Sequence, residues 1–89
     1  MNIDEFADVI GVDLLVTRYA NQNGRWCAHF EHCEIKQGLS CLLSAHGNAT
    51  NVPGAIDDYV KQIRGQHIVI NASDPKRRRE YNVPKDLHL

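Results

Sequence analysis

Pro53-Gly54-Ala55-Ile56-Asp57-Asp58-Tyr59-Val60-Lys61-Gln62-Ile63-Arg64 is the stretch that decides the fold of this 89-residue chain. Its apolar residues Ile56, Tyr59, Val60 and Ile63 fall at i, i+3, i+4 and i+7, one stripe of a 3.6-residue repeat, while Asp57, Asp58, Lys61 and Gln62 take the wet side. The spacing predicts a helix over 53–64, with Pro53 suited to the first helical position and Gly65 placed just past the end. Such a stripe has to be covered. Every other apolar run is short, β-branched or alternating, so the helix is expected to lie across one face of an antiparallel sheet in an α+β fold.

Downstream of the helix, residues 67–71 (His-Ile-Val-Ile-Asn) read as a strand. Ser73 to Arg77 reads as a turn entered at Asp74-Pro75, and Arg79 to Val83 reads as a last strand stopped by Pro84. Residues 85–89 are expected to be a loose tail. Upstream, Gly47 to Asn51 reads as a polar connection and Leu39 to His46 as a strand beginning after a turn at Gly38. Arg25 to Ile35 alternates: Trp26, Ala28 and Phe30 point one way, under the helix, and Cys27, His29, Glu31 and Cys33 point the other. Asn21-Gln22-Asn23-Gly24 is a hairpin signal joining it to a strand over 13–20, because Asn-Gly suits positive φ. A short first helix capped by Asn2, acidic in its first turn and ended by Gly11, presents Ile3, Phe6, Ala7 and Ile10 on one face. The expected order is αβββαββ, a sheet of about five strands, with residues 1–84 as a single domain.

A chain this short buries roughly 60–65% of its unfolded surface and has no room for a second core. No apolar run approaches the roughly 18 residues of a membrane span. Three cysteines (Cys27, Cys33, Cys41) form an odd count without a secretory leader, so reduced thiols and a cytoplasmic location are expected. The net charge is −1, but it is unevenly laid down: residues 1–60 carry eight acids against Arg18, Arg25 and Lys36, whereas Lys61, Arg64, Lys76, Arg77, Arg78, Arg79 and Lys85 crowd the remainder. Unlike charged ends steer partners or pair with copies of the same chain, and exposed sheet edges add to the expectation of a homodimer.

Cys27, His29, His32, Cys33, Cys41 and His46 are ligand types that zinc prefers, but they contain no C-x-x-C knuckle, and alternation sets His32 on the face opposite Cys27, His29 and Cys33. No metal and no cofactor are therefore expected. Cys27 and His29 share a face, as a thiol–imidazole nucleophile pair would, yet no oxyanion-forming loop accompanies them. Asp57 and Asp58 stand about 100° apart on the helix and do not converge as an acid–base pair. The reading is of a protein without catalysis. Lys76-Arg77-Arg78-Arg79 is the sharpest chemical feature: four cations at a turn can grip phosphates or the acidic surface of a protein, or can serve as solvated charges that guard a sheet edge. Near-neutral total charge and the lack of an aromatic stacking platform beside the run favour a protein partner over nucleic acid.

Trp26-x-Ala28-x-Phe30-Glu31, the connection at Gly47, and Ala55-Ile56-x-x-Tyr59 resemble the βββα part of HicB-like antitoxins. That resemblance implies a cytosolic protein that masks a ribonuclease. Asn21-Gln22-x-Gly24-Arg25-Trp26, Glu34-Ile35-Lys36, Ala55-Ile56-x-Asp58-Tyr59 and Arg79-Glu80-x-x-Val83-Pro84 are similar to small accessory proteins of phages and prophages. It implies a phage-encoded inhibitor that blocks a host defence complex, anti-CRISPR proteins being one kind. The functional expectation is such a non-catalytic inhibitor in the host cytoplasm, with Lys76, Arg77, Arg78 and Arg79 as the partner-binding residues. The alternative is a small nucleic-acid-binding module or HicB-like antitoxin using the same turn.

Overall fold

The computed structural model describes every residue except Gln22. The central helix, α2, runs from Val52 to Ile63. Asn51 caps it, its side-chain oxygen accepting from the Gly54 N–H at 2.7 Å, and Pro53 lies in the first turn, where a missing N–H costs nothing. Tyr59, Val60 and Ile63 are buried as the stripe requires; Ala55 joins them and Ile56 is half-buried. The first helix, α1 (Ile3–Ile10), begins in a capping box: the Asn2 oxygen accepts from the Glu5 N–H at 2.8 Å, and the Glu5 carboxylate accepts from the Asn2 N–H at 3.2 Å. Ile3, Phe6 and Ile10 are buried, and Gly11, at φ 67°, ends it.

The fold is α+β, but the single sheet of about five strands is corrected to two antiparallel sheets with seven strands among the described residues. The first contains β1 (Leu14–Arg18), β2 (Trp26–Phe30) and β5 (Gly47–Ala49), in the order β1-β2-β5. The second contains β3 (Cys33–Gln37), β4 (Cys41–Leu43), β6 (His67–Ile70) and β7 (Arg79–Asn82), in the order β4-β3-β6-β7.

Two local events divide the sheet. The continuous strand expected over 25–35 breaks at Glu31-His32, where His32 takes φ 54°. Glu31 N–H still donates to Asp13 O beside β1, while His32 O already accepts from Asn71 N–H at the end of β6. The chain thus changes sheets within two residues. The second event is at Gly47: the expected polar connection over 47–51 carries β5, and the expected strand 39–46 keeps only Cys41–Leu43. The hairpin between β1 and β2 closes with Tyr19 N–H donating to Arg25 O, with Asn23 at φ 49° and Gly24 at φ 75°; Gln22 of that predicted turn lies outside the described residues.

One core joins the inner faces of both sheets with both helices, drawing on Ala28 and Phe30 from the first sheet and Ile35, Ile68 and Ile70 from the second. Phe30 meets Tyr59 edge-on at 5.6 Å between ring centres, and Phe6 at 6.1 Å, so Phe30 links α1, β2 and α2. Trp26 is half-buried against the same cluster. The tail read as loose is instead docked: Leu87 is 1% exposed, and His88 O accepts from Ile3 N–H at 2.8 Å. The α1 N-terminus has unsatisfied donors, and the tail supplies one acceptor while Leu87 fills the core beside Val83.

Candidate partner-binding surface

Four predicted site residues, Lys76, Arg77, Arg78 and Arg79, lie between β6 and β7 and at the start of β7. The loop is wound around Asp74. Its carboxylate accepts from Lys76 N–H at 3.1 Å, and its carbonyl accepts from Arg77 N–H at 3.0 Å and Arg78 N–H at 2.8 Å. Asp74 N–H in turn donates to Asn71 O. This is a short helical turn whose own hydrogen bonds fix it, with Pro75 at a position that needs no donor.

The turn divides the four cations into two pairs. Lys76 and Arg77 project into solvent; the Arg77 side chain is 79% exposed and keeps only a loose 3.7 Å approach to Asp74. Arg78 folds back, donating from Nε and Nη2 to the Glu80 carboxylate at 3.3 and 3.2 Å and from Nη1 to Ala72 O. The Arg79 guanidinium lies 5.8 Å from the Tyr81 ring centre. Arg78 and Arg79 are therefore engaged with their own chain, and the outward charge is that of Lys76 and Arg77.

Glu80 gathers the charges on the outer side of the second sheet. Besides Arg78, it receives Lys36 Nζ at 3.3 Å and His67 Nε2 at 2.7 Å, while His67 Nδ1 donates to Asn82 Oδ1 at 2.8 Å. The His67 hydrogen bond, followed by that of Lys36, holds the Glu80 carboxyl down at about 2. The His67 imidazolium is favoured in return, chiefly by Asn82 and then by Glu80. The sequence reading missed this hub. Its signal is the antiparallel register that sets His67 against Asn82 and Val69 against Glu80, which becomes visible only once two strands are paired.

Beside the loop lies an open groove of about 410 Å³, lined by His29, His32, Ser44 and His46 on one side and by Asn71 and Asp74 of the loop on the other. The cysteines and histidines read as a cluster are dispersed around it. Cys27 and His29 share a face of β2, as strand alternation suggested, and both meet His46: Cys27 Sγ lies 3.5 Å from His46 Nδ1. His29 presents its ring edge-on to His46 at 4.6 Å between centres, and its Nδ1–H donates to Phe30 O at 3.0 Å. Burial, and then the neighbouring His29, lower the His46 pKa. Cys33, expected on the face of Cys27 and His29, instead packs toward the core with its thiol on the side of Tyr59, because the break at His32 resets the alternation. Cys41 is exposed on β4. Among the described residues no three histidine, cysteine or acidic side chains come together as a metal-ion site. No helix among them is long and apolar enough to cross a membrane.

Comparison with protein-family models, with curated proteins and with solved structures finds no match to this chain.

Proposed function

We propose that this chain is a non-catalytic inhibitor that binds an acidic face of a partner protein through Lys76 and Arg77 and acts by covering it. The observation that carries this reading is the Asp74-centred turn, whose hydrogen bonds fix the backbone from which Lys76 and Arg77 project into solvent. A preformed loop loses little conformational freedom on binding, so more of the charge–charge attraction survives as affinity. Arg78, bonded to Glu80 and Ala72, and Arg79, over Tyr81, are engaged with their own chain and take a lesser part in the contact. The partner we propose, on the resemblance of the sequence motifs to phage and prophage accessory proteins, is a host defence complex such as a CRISPR effector, met in the host cytoplasm.

The test mixes the protein with a purified CRISPR effector complex on a sizing column. Co-elution is expected for the native chain, and its loss for the double variant Lys76→Glu, Arg77→Glu, whose circular dichroism should be unchanged. Co-elution that survives both changes removes the basic turn as the contact. A native chain that elutes alone removes the effector as the partner. Arg78→Glu is a poor probe, because it places a carboxylate against Glu80 and disturbs the fold around it.

A further inference from the structure

The β3–β4 hairpin is the least guarded part of this molecule. From Gln37 to Ala45 the chain carries no charged side chain, although Asp, Glu, Lys and Arg make up 24% of the whole. Leu39 at the tip is 97% exposed, Leu43 is 43% exposed, and Cys41 is exposed between them. β4 is the terminal strand of its sheet, paired only with β3, so its outer backbone donors and acceptors have no strand partner among the described residues.

The other terminal strands are protected in the ways sheet edges usually are. At β5 the Asp58 carboxylate accepts from Asn48 N–H at 2.9 Å, and Gln62 Nε2 donates to His46 O at 2.8 Å, so side chains of α2 close that edge. β7 carries Arg79 and Glu80 and runs into Pro84. β1 is bracketed by Asp13 and Arg18. β4 has neither charge nor proline, and among the described residues no second strand pairs with it.

We infer that β4 is the contact through which two copies of this chain associate, strand against antiparallel strand about a two-fold axis, joining their second sheets into one. An identical strand is self-complementary under that symmetry. An uncharged segment brings no like charges together across the axis, and a net charge of −1 leaves little long-range repulsion between copies. Leu39 and Leu43 gain cover from the second hairpin. Three paired residues and a hairpin tip make a contact below the standard interface size, so the association is weak and depends on concentration. β4 and β7 are opposite edges of the sheet, so the strand pairing at β4 does not use the edge at which the basic run ends.

Sedimentation velocity over a hundredfold range of protein concentration tests this. The native chain is expected to move from monomer mass to twice that mass, and Leu39→Lys with Leu43→Lys to remain a monomer throughout. Leu15→Lys, on β1, should leave the doubling intact. A short bis-maleimide should cross-link native chains at concentrations where the doubling is seen, and Cys41→Ser should abolish the cross-link while Cys33→Ser does not. A native chain that stays monomeric overturns the inference. So does a dimer that survives the β4 changes or is lost with Leu15→Lys. The basic-turn variant Lys76→Glu, Arg77→Glu should dimerise normally, which separates this contact from partner binding.

Discussion

Gly47 lies so close beneath Tyr59 that a Cβ on it would stand 2.5 Å from the Tyr59 backbone nitrogen, and nearer still to the carbonyl oxygen of Ala55. Strand β5 and helix α2 touch backbone to backbone there, and the absence of a side chain is what lets the helix settle onto the first sheet with Tyr59 against Phe30. Both obstructing groups belong to the helix main chain and cannot rotate away. Gly47→Ala should therefore destabilise the protein by about 3 kcal/mol, the upper end of ordinary overpacking. That is a fall in melting temperature of about 12–24 °C at this chain length. A thermal melt unchanged within a degree or two would show that the helix does not rest on β5.

The docked tail gives a second prediction. Leu87 is buried beside Val83 and its neighbour His88 accepts from the first turn of α1, so Leu87→Ala should cost about 2–4 kcal/mol in a denaturant titration. Deleting residues 85–89 should cost at least as much, since it also removes the acceptor for Ile3 N–H. An undamaged truncated protein would restore the loose tail that the sequence suggested.

How much of this was legible in the sequence depends on the range over which each signal acts. α2 was readable because its stripe, its proline and its closing glycine all lie within one short segment; α1 was readable through Asn2, Glu5 and Gly11. The division into two sheets was not, because it turns on His32 at positive φ, for which histidine's modest preference is too weak a signal inside an alternating run, and on the approach of Gly47 to a helix that comes later in the chain. Alternation carried the faces correctly through Phe30 and failed at Cys33, one residue past the break. The basic run was visible as four like charges. Its division into two cations that project freely and two engaged with their own chain depends on Asp74, Glu80 and Tyr81, whose positions follow from the loop and the strand register. Leu87 looked like one leucine in a polar tail, and burial of a single side chain leaves no periodic trace.

The three thiols should differ in reactivity. Cys41 is exposed, whereas burial drives the Cys33 thiol up to about 11, against its ordinary 9.0, a shift that Tyr59 reduces and Glu34 reinforces. The thiolate is the nucleophile, so at pH 8 Cys33 carries about 100-fold less of it than a thiol at the ordinary value, quite apart from steric shielding. Brief alkylation of dilute native protein, read by peptide mass spectrometry, should mark Cys41 first and leave Cys33 largely untouched until the protein is unfolded. Equal labelling of the two would contradict the packing of Cys33 against Tyr59.

The Glu80 hub gives the protein a pH window. His67 is raised from 6.5, so its contribution to stability is complete below 6.5 and is lost as pH climbs through the higher folded value. Glu80 is lowered from 4.5 to about 2, so its contribution is complete above 4.5 and is lost as pH falls toward 2. The two overlap between 4.5 and 6.5, where His67 is an imidazolium shared between Glu80 and Asn82, and Lys36 and Arg78 face the same carboxylate. Melting temperatures of the native chain and His67→Gln should differ most inside that window and converge above it, as the native histidine loses its proton. Glu80→Gln should differ from the native chain both inside the window and above it, because Lys36 and Arg78 keep their charge there, and the two should converge as pH falls from 4.5 toward 2. A gap between native and His67→Gln that widens with rising pH would mean that the fold holds His67 as the neutral imidazole, against the pairing with Glu80 described above.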